Sequence, residues 1–332
     1  MPQNFSRGFD SVAITSAPGE KGSCCGLPTW RLPPDLGMSE LSPGKCVERK
    51  SSDDVLVPRS YNFGQNWSLR YAGLMQGGNG APVIEFRDVS YQVAGNQVLS
   101  GLNLHVERGE TFILLGRSGS GKTTTLKLVN RLVVPTSGTI LVNGQANDQT
   151  DVIRLRRGIG YVIQEAGLFP HFTVARNIGL VPKLAGWPED RILDKTRELL
   201  QLVGLPGEFA ERYPHQLSGG QRQRVGVARA LAADPQILLM DEPFAALDPL
   251  TRDELQREFL LLQQRLNKTV LFVTHDLREA LRLGSRIALM EAGKLVTVLT
   301  PQEFVKSDDR WAAAYVRAFG SGLESAANRG PA

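Results

Sequence analysis

The chain has 332 residues, of which 42% are hydrophobic and 22% charged, and this composition is ordinary for a globular protein. The formal net charge of +4 is spread along the sequence, which favours a solvated surface over nucleic-acid binding. No run of about 18 apolar residues occurs, and we therefore expect no membrane-spanning helix in this chain.

The N-terminal part of the sequence, residues 1–81, differs from the rest. It is rich in Gly, Pro and Ser and has no sustained helical or strand period, so we predict a disordered extension. It lacks the basic-then-apolar layout of a secretory signal, and Met38 and Met75 are alternative candidates for the start of translation. All cysteines of the chain lie in it without metal-ligand spacing, which fits a reducing cytoplasm.

A regular pattern begins at residue 82. Residues 82–93 and 98–106 are predicted as strands, and residues 111–115 form a short apolar strand. A glycine-rich loop follows this third strand directly and leads into a helix. Three apolar residues share one face of that helix: Leu126, Val129 and Val133.

The glycine-rich loop matches the pattern G-x-x-x-x-G-K-[ST], and it lies between a strand and a helix, as this motif requires. Its glycines let successive backbone N–H groups turn inward, and the following helix adds its positive end, so the loop is predicted to hold phosphate groups. Lys122 would place a charge on the β- and γ-phosphates, and the Thr123 hydroxyl would coordinate Mg²⁺. The candidate binding residues are Gly116, Arg117, Ser118, Gly119, Ser120, Gly121, Lys122, Thr123 and Thr124.

Apolar strands alternate with amphipathic helices in the second half of the sequence. We predict helices over residues 189–203 and 251–266 and buried strands over residues 237–240, 270–274 and 287–290. This alternation indicates an α/β layered domain with a largely parallel sheet.

A segment of small residues precedes another helix in this half. Its members Ser218, Gly219, Gly220 and Gln221 would offer free N–H groups at a helix N-terminus, which is an anion site. Taken alone, the segment is better explained by a serine N-cap with glycines for the turn.

Two acidic residues, Asp241 and Glu242, follow the predicted strand at residues 237–240. The strand end would place Asp241 beside the phosphate loop, where it can hold a metal ion, and Glu242 is a candidate base for an attacking water. A helix cap is the alternative explanation for such a pair. Downstream of a phosphate loop, the pair favours ATP hydrolysis.

The order of these motifs resembles that of the ABC transporter ATPases, over about residues 82–306. The resemblance implies a P-loop NTPase of ABC type, an α/β fold with a RecA-like core around a mostly parallel sheet. It also implies an antiparallel β subdomain and a helical subdomain inserted at about residues 165–216. Residues 307–332 would form a short C-terminal helix and tail.

The resemblance assigns roles to four further residues. Tyr91 would stack on adenine, and Gln164 would contact Mg²⁺ and link the core to the helical subdomain. Asp248 would lie in a loop that crosses a dimer interface, and His275 would contact the γ-phosphate. Simpler explanations are a strand aromatic for Tyr91, a helix cap for Asp248 and a structural histidine for His275.

The resemblance also implies how these parts work together. ATP at the phosphate loop of one subunit would be covered by residues 218–221 of the opposite subunit, so that two sites form in a dimer. The partner would be a second copy of this chain or a similar ATPase. With Mg²⁺ bound, catalysis would depend on Glu242, His275 and Lys122.

Residues 160–187, 212–235 and 240–252 look most like ATPases of osmoprotectant importers, which handle glycine betaine, choline or carnitine. This resemblance implies membrane permease partners, an indirect link to a solute-binding protein, and a peripheral location at the cytoplasmic face of the cell membrane. Many such ATPases continue into paired regulatory modules, and we expect none because the sequence after His275 is too short.

Three alternatives remain open at this point. Within importers, the solute could be an amino acid or another small molecule. A soluble ABC ATPase of translation or repair is disfavoured by the single cassette and the lack of sustained heptads. A small-molecule kinase or GTPase would not explain residues 217–221 or the sequence around His275.

Overall fold

The computed structural model describes residues 81–327, with side chains described through residue 318. The predicted N-terminal extension, apart from residue 81, therefore lies outside the described residues. The strands are β1 (Ile84–Val93), β2 (Asn96–Val106), β3 (Thr111–Gly116), β4 (Ser137–Val142), β5 (Gln145–Ala146), β6 (Ile159–Val162), β7 (Ile237–Asp241), β8 (Thr269–Thr274), β9 (Arg286–Glu291) and β10 (Lys294–Leu299). The helices are α1 (Lys122–Val129), α2 (Val152–Arg157), α3 (Val174–Leu184), α4 (Glu189–Leu202), α5 (Gly219–Leu231), α6 (Pro249–Leu266), α7 (Leu277–Leu283), α8 (Pro301–Lys306) and α9 (Arg310–Ala327).

The larger of two sheets has six strands in the order β10-β9-β3-β8-β7-β6. All neighbours in it are parallel except β9 and β10, which pair antiparallel. Every residue of β3, β7 and β8 is buried, as expected for strands covered on both faces. The predicted mostly parallel sheet is confirmed.

Side chains of the central strands alternate between two hydrophobic clusters. In β3, Phe112 and Leu114 belong to one cluster, whereas Ile113 and Leu115 belong to the other. The first cluster joins the sheet to β1, β2, β4 and α1, and the second joins it to α5, α6 and α7. Burying one such side chain contributes about 1.5–3 kcal/mol. These two layers hold the central strands in fixed register.

The smaller sheet is antiparallel and has the order β2-β1-β4-β5. Strands β1 and β2 pair from Ile84–Val106 to Val93–Asn96, and β1 also pairs with β4. This sheet is the predicted antiparallel β subdomain. It was only partly anticipated, because the sequence pattern identified β1 and β2 but not β4 or β5.

The region predicted as a helical subdomain contains α3, α4 and two 3₁₀ turns, Gly207–Glu211 and Pro214–Gln216. Helix α5 follows and packs against both α3 and α4. Helix α5 also lies against β6 and α6. Within residues 81–327, no helix combines the length and the apolar character needed to cross a bilayer.

Several predicted bounds differ from the structure. Helix α1 ends at Val129 because Arg131 adopts a left-handed φ of 50°, so the prediction that Val133 extends its apolar face is wrong. Helix α6 begins two residues earlier than predicted, at Pro249, where proline is favoured in the first helical turn. Strands β6 and β10 and helices α2, α3 and α7 were not predicted.

Candidate functional site

The carboxyl ends of β3, β7 and β8 lie at one edge of the parallel sheet. Leu115 of β3 is in register with Thr274 of β8, and Asp241 of β7 is in register with Val273. The loop after β3, the acidic pair that ends β7 and the turn after β8 therefore converge. This edge is where ligands bind in open α/β sheets.

The loop between β3 and α1 depends on two glycines. Gly121 has a φ of +99°, and a Cβ there would lie 2.5 Å from Leu99 Cδ2. A Cβ on Gly116 would lie 2.4 Å from the carbonyl oxygen of Met290. At Gly116 the neighbour is backbone, so a side chain there would displace the loop from β9, whereas at Gly121 the positive φ itself disfavours a residue with a Cβ.

Lys122, the first residue of α1, is buried with its ammonium inside the loop. Its Nζ donates hydrogen bonds of 2.8 Å to the carbonyl oxygens of Gly116 and Arg117. Burial lowers the pKa of Lys122, and the carboxylates of Glu242, Asp241 and Glu291 oppose this shift. The loop thus holds a positive charge that negative neighbours stabilise.

Ser120 is the other buried polar residue of the loop. Its Oγ has no hydrogen-bond partner among the described residues, while its carbonyl accepts a 3.2 Å hydrogen bond from the N–H of Gly293. Arg117, Ser118 and Gly119 are exposed. The loop accordingly offers exposed backbone and an unpartnered buried hydroxyl, a donor set suited to phosphate oxygens.

Thr123 and Asp241 meet at this edge although 118 positions separate them. The Thr123 hydroxyl donates a 2.8 Å hydrogen bond to Asp241 Oδ1. Burial raises the pKa of Asp241, and the hydrogen bond from Thr123 opposes this rise. A hydroxyl beside a carboxylate, next to a phosphate loop, is a ligand set that fits Mg²⁺.

Tyr161 of β6 is a site neighbour that the sequence reasoning missed. Its hydroxyl is half-buried, and burial together with the nearby Asp241 carboxylate raises the pKa of Tyr161. Strand β6 lies beside β7, with Tyr161 in register with Leu239. The only sequence signal was its place in the stretch before Gln164.

Glu242 and His275 form the second polar pair of the site. The Glu242 carboxylate Oε2 lies 3.0 Å from His275 Nδ1. Glu242 has a φ of 45°, a conformation that costs a non-glycine residue on the order of 1 kcal/mol or more. Its N–H donates a 3.0 Å hydrogen bond to the carbonyl of Val273, which fixes the strained residue against β8.

The turn that carries His275 rests on a buried hydrogen-bond network. Thr274 Oγ1 donates a 2.6 Å hydrogen bond to Glu279 of α7, and it accepts a 3.0 Å hydrogen bond from the N–H of Asp276. Glu279 also accepts a 3.0 Å hydrogen bond from Gln256 of α6. Burial raises the pKa of Glu279 despite these donors.

Ser218 caps helix α5 in the described chain. Its Oγ accepts a 3.3 Å hydrogen bond from the N–H of Gln221, whose side chain accepts a 2.9 Å hydrogen bond from the N–H of Ser218. Gly220 packs closely on α6, because a Cβ there would lie 2.6 Å from Thr251 Cγ2. In the described part of the chain, no hydrogen bond joins residues 218–221 to Lys122, Asp241 or Glu242.

A family model described as ABC transporter matches residues 99–245. The chain is 53% identical over 213 residues to the glycine betaine/carnitine/choline transport ATP-binding protein OpuCA of Bacillus subtilis, covering 64% of this chain and 56% of that protein. It is 53% identical over 214 residues to the glycine betaine uptake system ATP-binding protein YehX of Escherichia coli, covering 64% of this chain and 70% of that protein. This chain belongs to the ABC transporter family.

Solved structures of the ABC transporter family share this fold. A dimeric ATP-binding cassette in a post-hydrolysis state, bound to ADP and Pi, is 32% identical with a TM-score of 0.60, covering 66% of this chain and 98% of that one. The cbiO1 protein of Clostridium perfringens is 27% identical with a TM-score of 0.65, covering 74% of this chain and 100% of that one. The chain spans a little over half the length of the Bacillus relative.

Three predicted site residues make no hydrogen bond to the central cluster among the described residues of this ABC family member. Tyr91 is half-buried on β1, where it pairs with Leu99. Gln164 is exposed in the loop after β6. Asp248 caps α6 by accepting a 3.1 Å hydrogen bond from the N–H of Thr251. The Thr251 side chain, together with this backbone group, holds the pKa of Asp248 below its usual value.

Proposed function

We propose that this chain binds and hydrolyses ATP as the nucleotide-binding subunit of an ABC importer. The observation that carries the proposal is the convergence of Lys122, the Thr123–Asp241 pair and the Glu242–His275 pair at one sheet edge. A phosphate loop alone would fit many nucleotide-binding proteins. A second carboxylate, paired with a histidine directly beyond it, supports hydrolysis.

In this proposal, residues 116–124 hold the phosphates of ATP. Inward-facing N–H groups and the N-terminus of α1 bind the phosphate oxygens, and the Ser120 hydroxyl supplies a further donor. Lys122 turns from the carbonyls of Gly116 and Arg117 toward the β- and γ-phosphates. Tyr91, which lies near the C-terminal end of β1, stacks on the adenine.

The residues present fit a magnesium site. The Thr123 hydroxyl and the Asp241 carboxylate would hold the ion, with Gln164 reaching it from the loop after β6. When bound, Mg²⁺ neutralises charge on the β- and γ-phosphates. Asp241 is kept in place for this role by the hydrogen bond from Thr123.

Glu242 is proposed as the base for the attacking water. Its carboxylate is largely buried beside Asp241, and its backbone is locked to β8 through Val273. The His275 ring contacts the same carboxylate and is more exposed, with 58% of its side-chain surface accessible against 21% for Glu242. His275 therefore orients Glu242 and is positioned to contact the γ-phosphate.

Residues 218–221 are proposed to act on the nucleotide of a second subunit. They make no hydrogen bond to the described phosphate loop of their own chain, yet they place an exposed serine at the N-terminus of a helix. Asp248 is proposed to contact the partner at the same interface. A dimer of two copies, or of this chain and a similar ATPase, would contain two such sites. A dimeric relative bound to ADP and Pi supports this arrangement.

The transported solutes are proposed to be quaternary-amine osmoprotectants such as glycine betaine, choline or carnitine. Relatives at 50–53% identity carry these solutes or osmoprotectant import in their names. Membrane permease subunits would bind the helical subdomain, which contains α3 and α4, at the cytoplasmic face of the membrane. A solute-binding protein would deliver the solute. The alternative solute class is amino acids.

Reconstitution tests this function. The chain and its permease subunits are placed in liposomes, and ATP-dependent accumulation of radiolabelled glycine betaine, choline, carnitine and an amino acid is measured. We expect uptake of one or more quaternary amines, and none with Glu242→Gln. Uptake of the amino acid alone would favour the alternative solute class, and hydrolysis that no permease stimulates would favour a soluble ATPase.

A further inference from the structure

Arg229 joins helix α5 to the loop after β6. Its guanidinium is half-buried and donates from two different nitrogens to the carbonyl oxygens of Gly167 and Ala166, each at 2.7 Å. No carboxylate pairs with it among the residues whose side chains are described. Burial lowers the pKa of Arg229, and the two carbonyl dipoles stabilise its charge.

The two carbonyls belong to the loop after β6, which also contains Gln164. Ala166 and Gly167 have φ values of 56° and 53°, both in the left-handed region. Ala166 is buried against α5 at Gly226, where a Cβ would lie 3.2 Å from the Ala166 Cβ. A glycine on the helix and a positive φ in the loop thus bring this backbone within reach of the guanidinium.

The same helix carries the segment proposed to contact the second nucleotide. Arg229 lies eleven positions after Ser218, which corresponds to about 16 Å along a helix axis. Helix α5 is continuous between these points and is capped by the Ser218–Gln221 box. A displacement of the loop at Ala166 would therefore move the N-terminus of α5 as part of one rigid body.

We propose that Arg229 is a positioning residue that ties the Gln164 loop to helix α5, so that the state of one nucleotide site is passed to the other. In the proposed dimer, Gln164 would contact the metal at its own site, whereas Ser218 would contact the nucleotide at the partner's site. The proposal rests on the proposed two-site dimer. An arginine suits this role because its planar fork reaches two carbonyls at once, whereas a lysine ammonium is a single point charge.

Two substitutions of Arg229 distinguish its proposed coupling role from a general contribution to stability. Arg229→Met keeps the bulk of the side chain but removes both hydrogen bonds, and Arg229→Lys keeps the charge. Arg224→Lys is the matched control, because Arg224 lies on the same helix and donates to the carbonyl of Val203 and to Glu258, away from the Gln164 loop. The lysine variant keeps the test valid if the methionine variant fails to fold.

The first measurement is amide hydrogen exchange over residues 163–168 of the isolated subunit. We expect exchange to accelerate by about tenfold in Arg229→Met, less in Arg229→Lys, and not at all in Arg224→Lys. Unchanged exchange in both Arg229 variants would overturn the proposal. This readout does not depend on activity, so it decides whether Arg229 holds the loop even if the chain proved to have no ATPase function.

The second measurement is ATP hydrolysis by the transporter complex as a function of ATP concentration. We expect a Hill coefficient above 1 in the parent that falls to about 1 in Arg229→Met, with nucleotide affinity of the single subunit within about twofold of the parent. A parent without cooperativity, or an equal fall in Arg224→Lys, would overturn the coupling role. A parent without any hydrolysis would instead overturn the proposed function.

Discussion

Buried charged side chains of this site are held by polar neighbours. Lys122 donates to two carbonyls of its own loop, and Asp241 accepts from the hydroxyl of Thr123. Such groups are pre-oriented, because their partners lie on strands and helix termini rather than on mobile surface. Loss of one charge therefore changes the site without removing a large part of the core.

Lys122→Ala is expected to abolish ATP hydrolysis and to weaken nucleotide binding. The loop would lose the one lysine that donates to its carbonyls and faces Asp241 and Glu242. Hydrolysis by the purified complex and binding of a fluorescent nucleotide measure the two effects. Lys127→Ala, an exposed change on the same helix, is the control. ATPase activity near that of the parent in Lys122→Ala would contradict the phosphate-loop assignment.

Tyr91→Ala is expected to weaken ATP binding by about 1–3 kcal/mol, the range for loss of base–aromatic stacking. Tyr91→Phe and Tyr91→Trp should bind like the parent, since both keep an aromatic face at the end of β1. Calorimetric titration with ATP checks the three variants. Equal affinity in all of them would show that Tyr91 is only a strand aromatic packed near Leu99.

At the scale of elements, short helix α7 fixes the turn that contains His275. Glu279 at its centre accepts hydrogen bonds from Thr274 and from Gln256 of α6, and Arg282 donates to Gln256 and to Asp253. These contacts join the end of β8 to two helices. The position of His275 thus depends on how α6 and α7 pack, and not on its own exposed side chain.

Thr274→Val is expected to lower the free energy of unfolding by about 1–3 kcal/mol, because the buried Glu279 carboxylate loses a donor. It should also reduce kcat by releasing the His275 turn. Thr274→Ser keeps the hydroxyl and should restore both. Urea unfolding and steady-state hydrolysis measure the effects, with exposed Thr139→Val as control. Loss of stability without any change in kcat would limit the network to a structural role.

At the scale of the whole molecule, the parallel sheet gathers the phosphate loop, the acidic pair and His275 at one edge. Residues 218–221 lie at the start of α5, and the described chain makes no hydrogen bond between them and its own phosphate loop. In a single copy, residues 218–221 and the phosphate loop are therefore not joined by a hydrogen bond, although the proposed site needs both. This separation is the structural argument for a two-site dimer.

Glu242→Gln is expected to bind ATP, hydrolyse it very slowly and accumulate as a closed dimer. Lys122, Thr123 and Asp241 would still hold Mg–ATP, while the attacking water loses its base. Size-exclusion chromatography with Mg–ATP, of the isolated subunit and of the transporter complex, detects the closed form. Adding Ser218→Arg should prevent it. A Glu242→Gln protein that stays monomeric, or dimerises regardless of Ser218→Arg, would contradict the sandwich.

The sequence by itself determined the parts of this protein that are local along the chain. The loop at residues 116–124 was predictable because its glycines, lysine and flanking strand are consecutive. The acidic pair after β7 and the apolar strands β3, β7 and β8 were predictable for the same reason. The likeness of whole motifs to the ABC family supplied the rest of the proposed site, including Gln164 and Asp248.

The tertiary structure decided which residues distant in sequence come into contact. Thr123 is hydrogen-bonded to Asp241 across 118 positions of the sequence, and Glu242 contacts His275 across 33 positions. The periods of helices and strands do not extend over such separations. Strand β10 has no fully buried residue, and β6 has only four residues. Neither strand therefore has a sequence pattern that distinguishes it from a loop. The contacts of Tyr161 and Arg229 depend on neighbours chosen by sheet order and helix packing. These contacts are selected by the free energy of the whole folded core, and no short segment of the sequence determines that free energy.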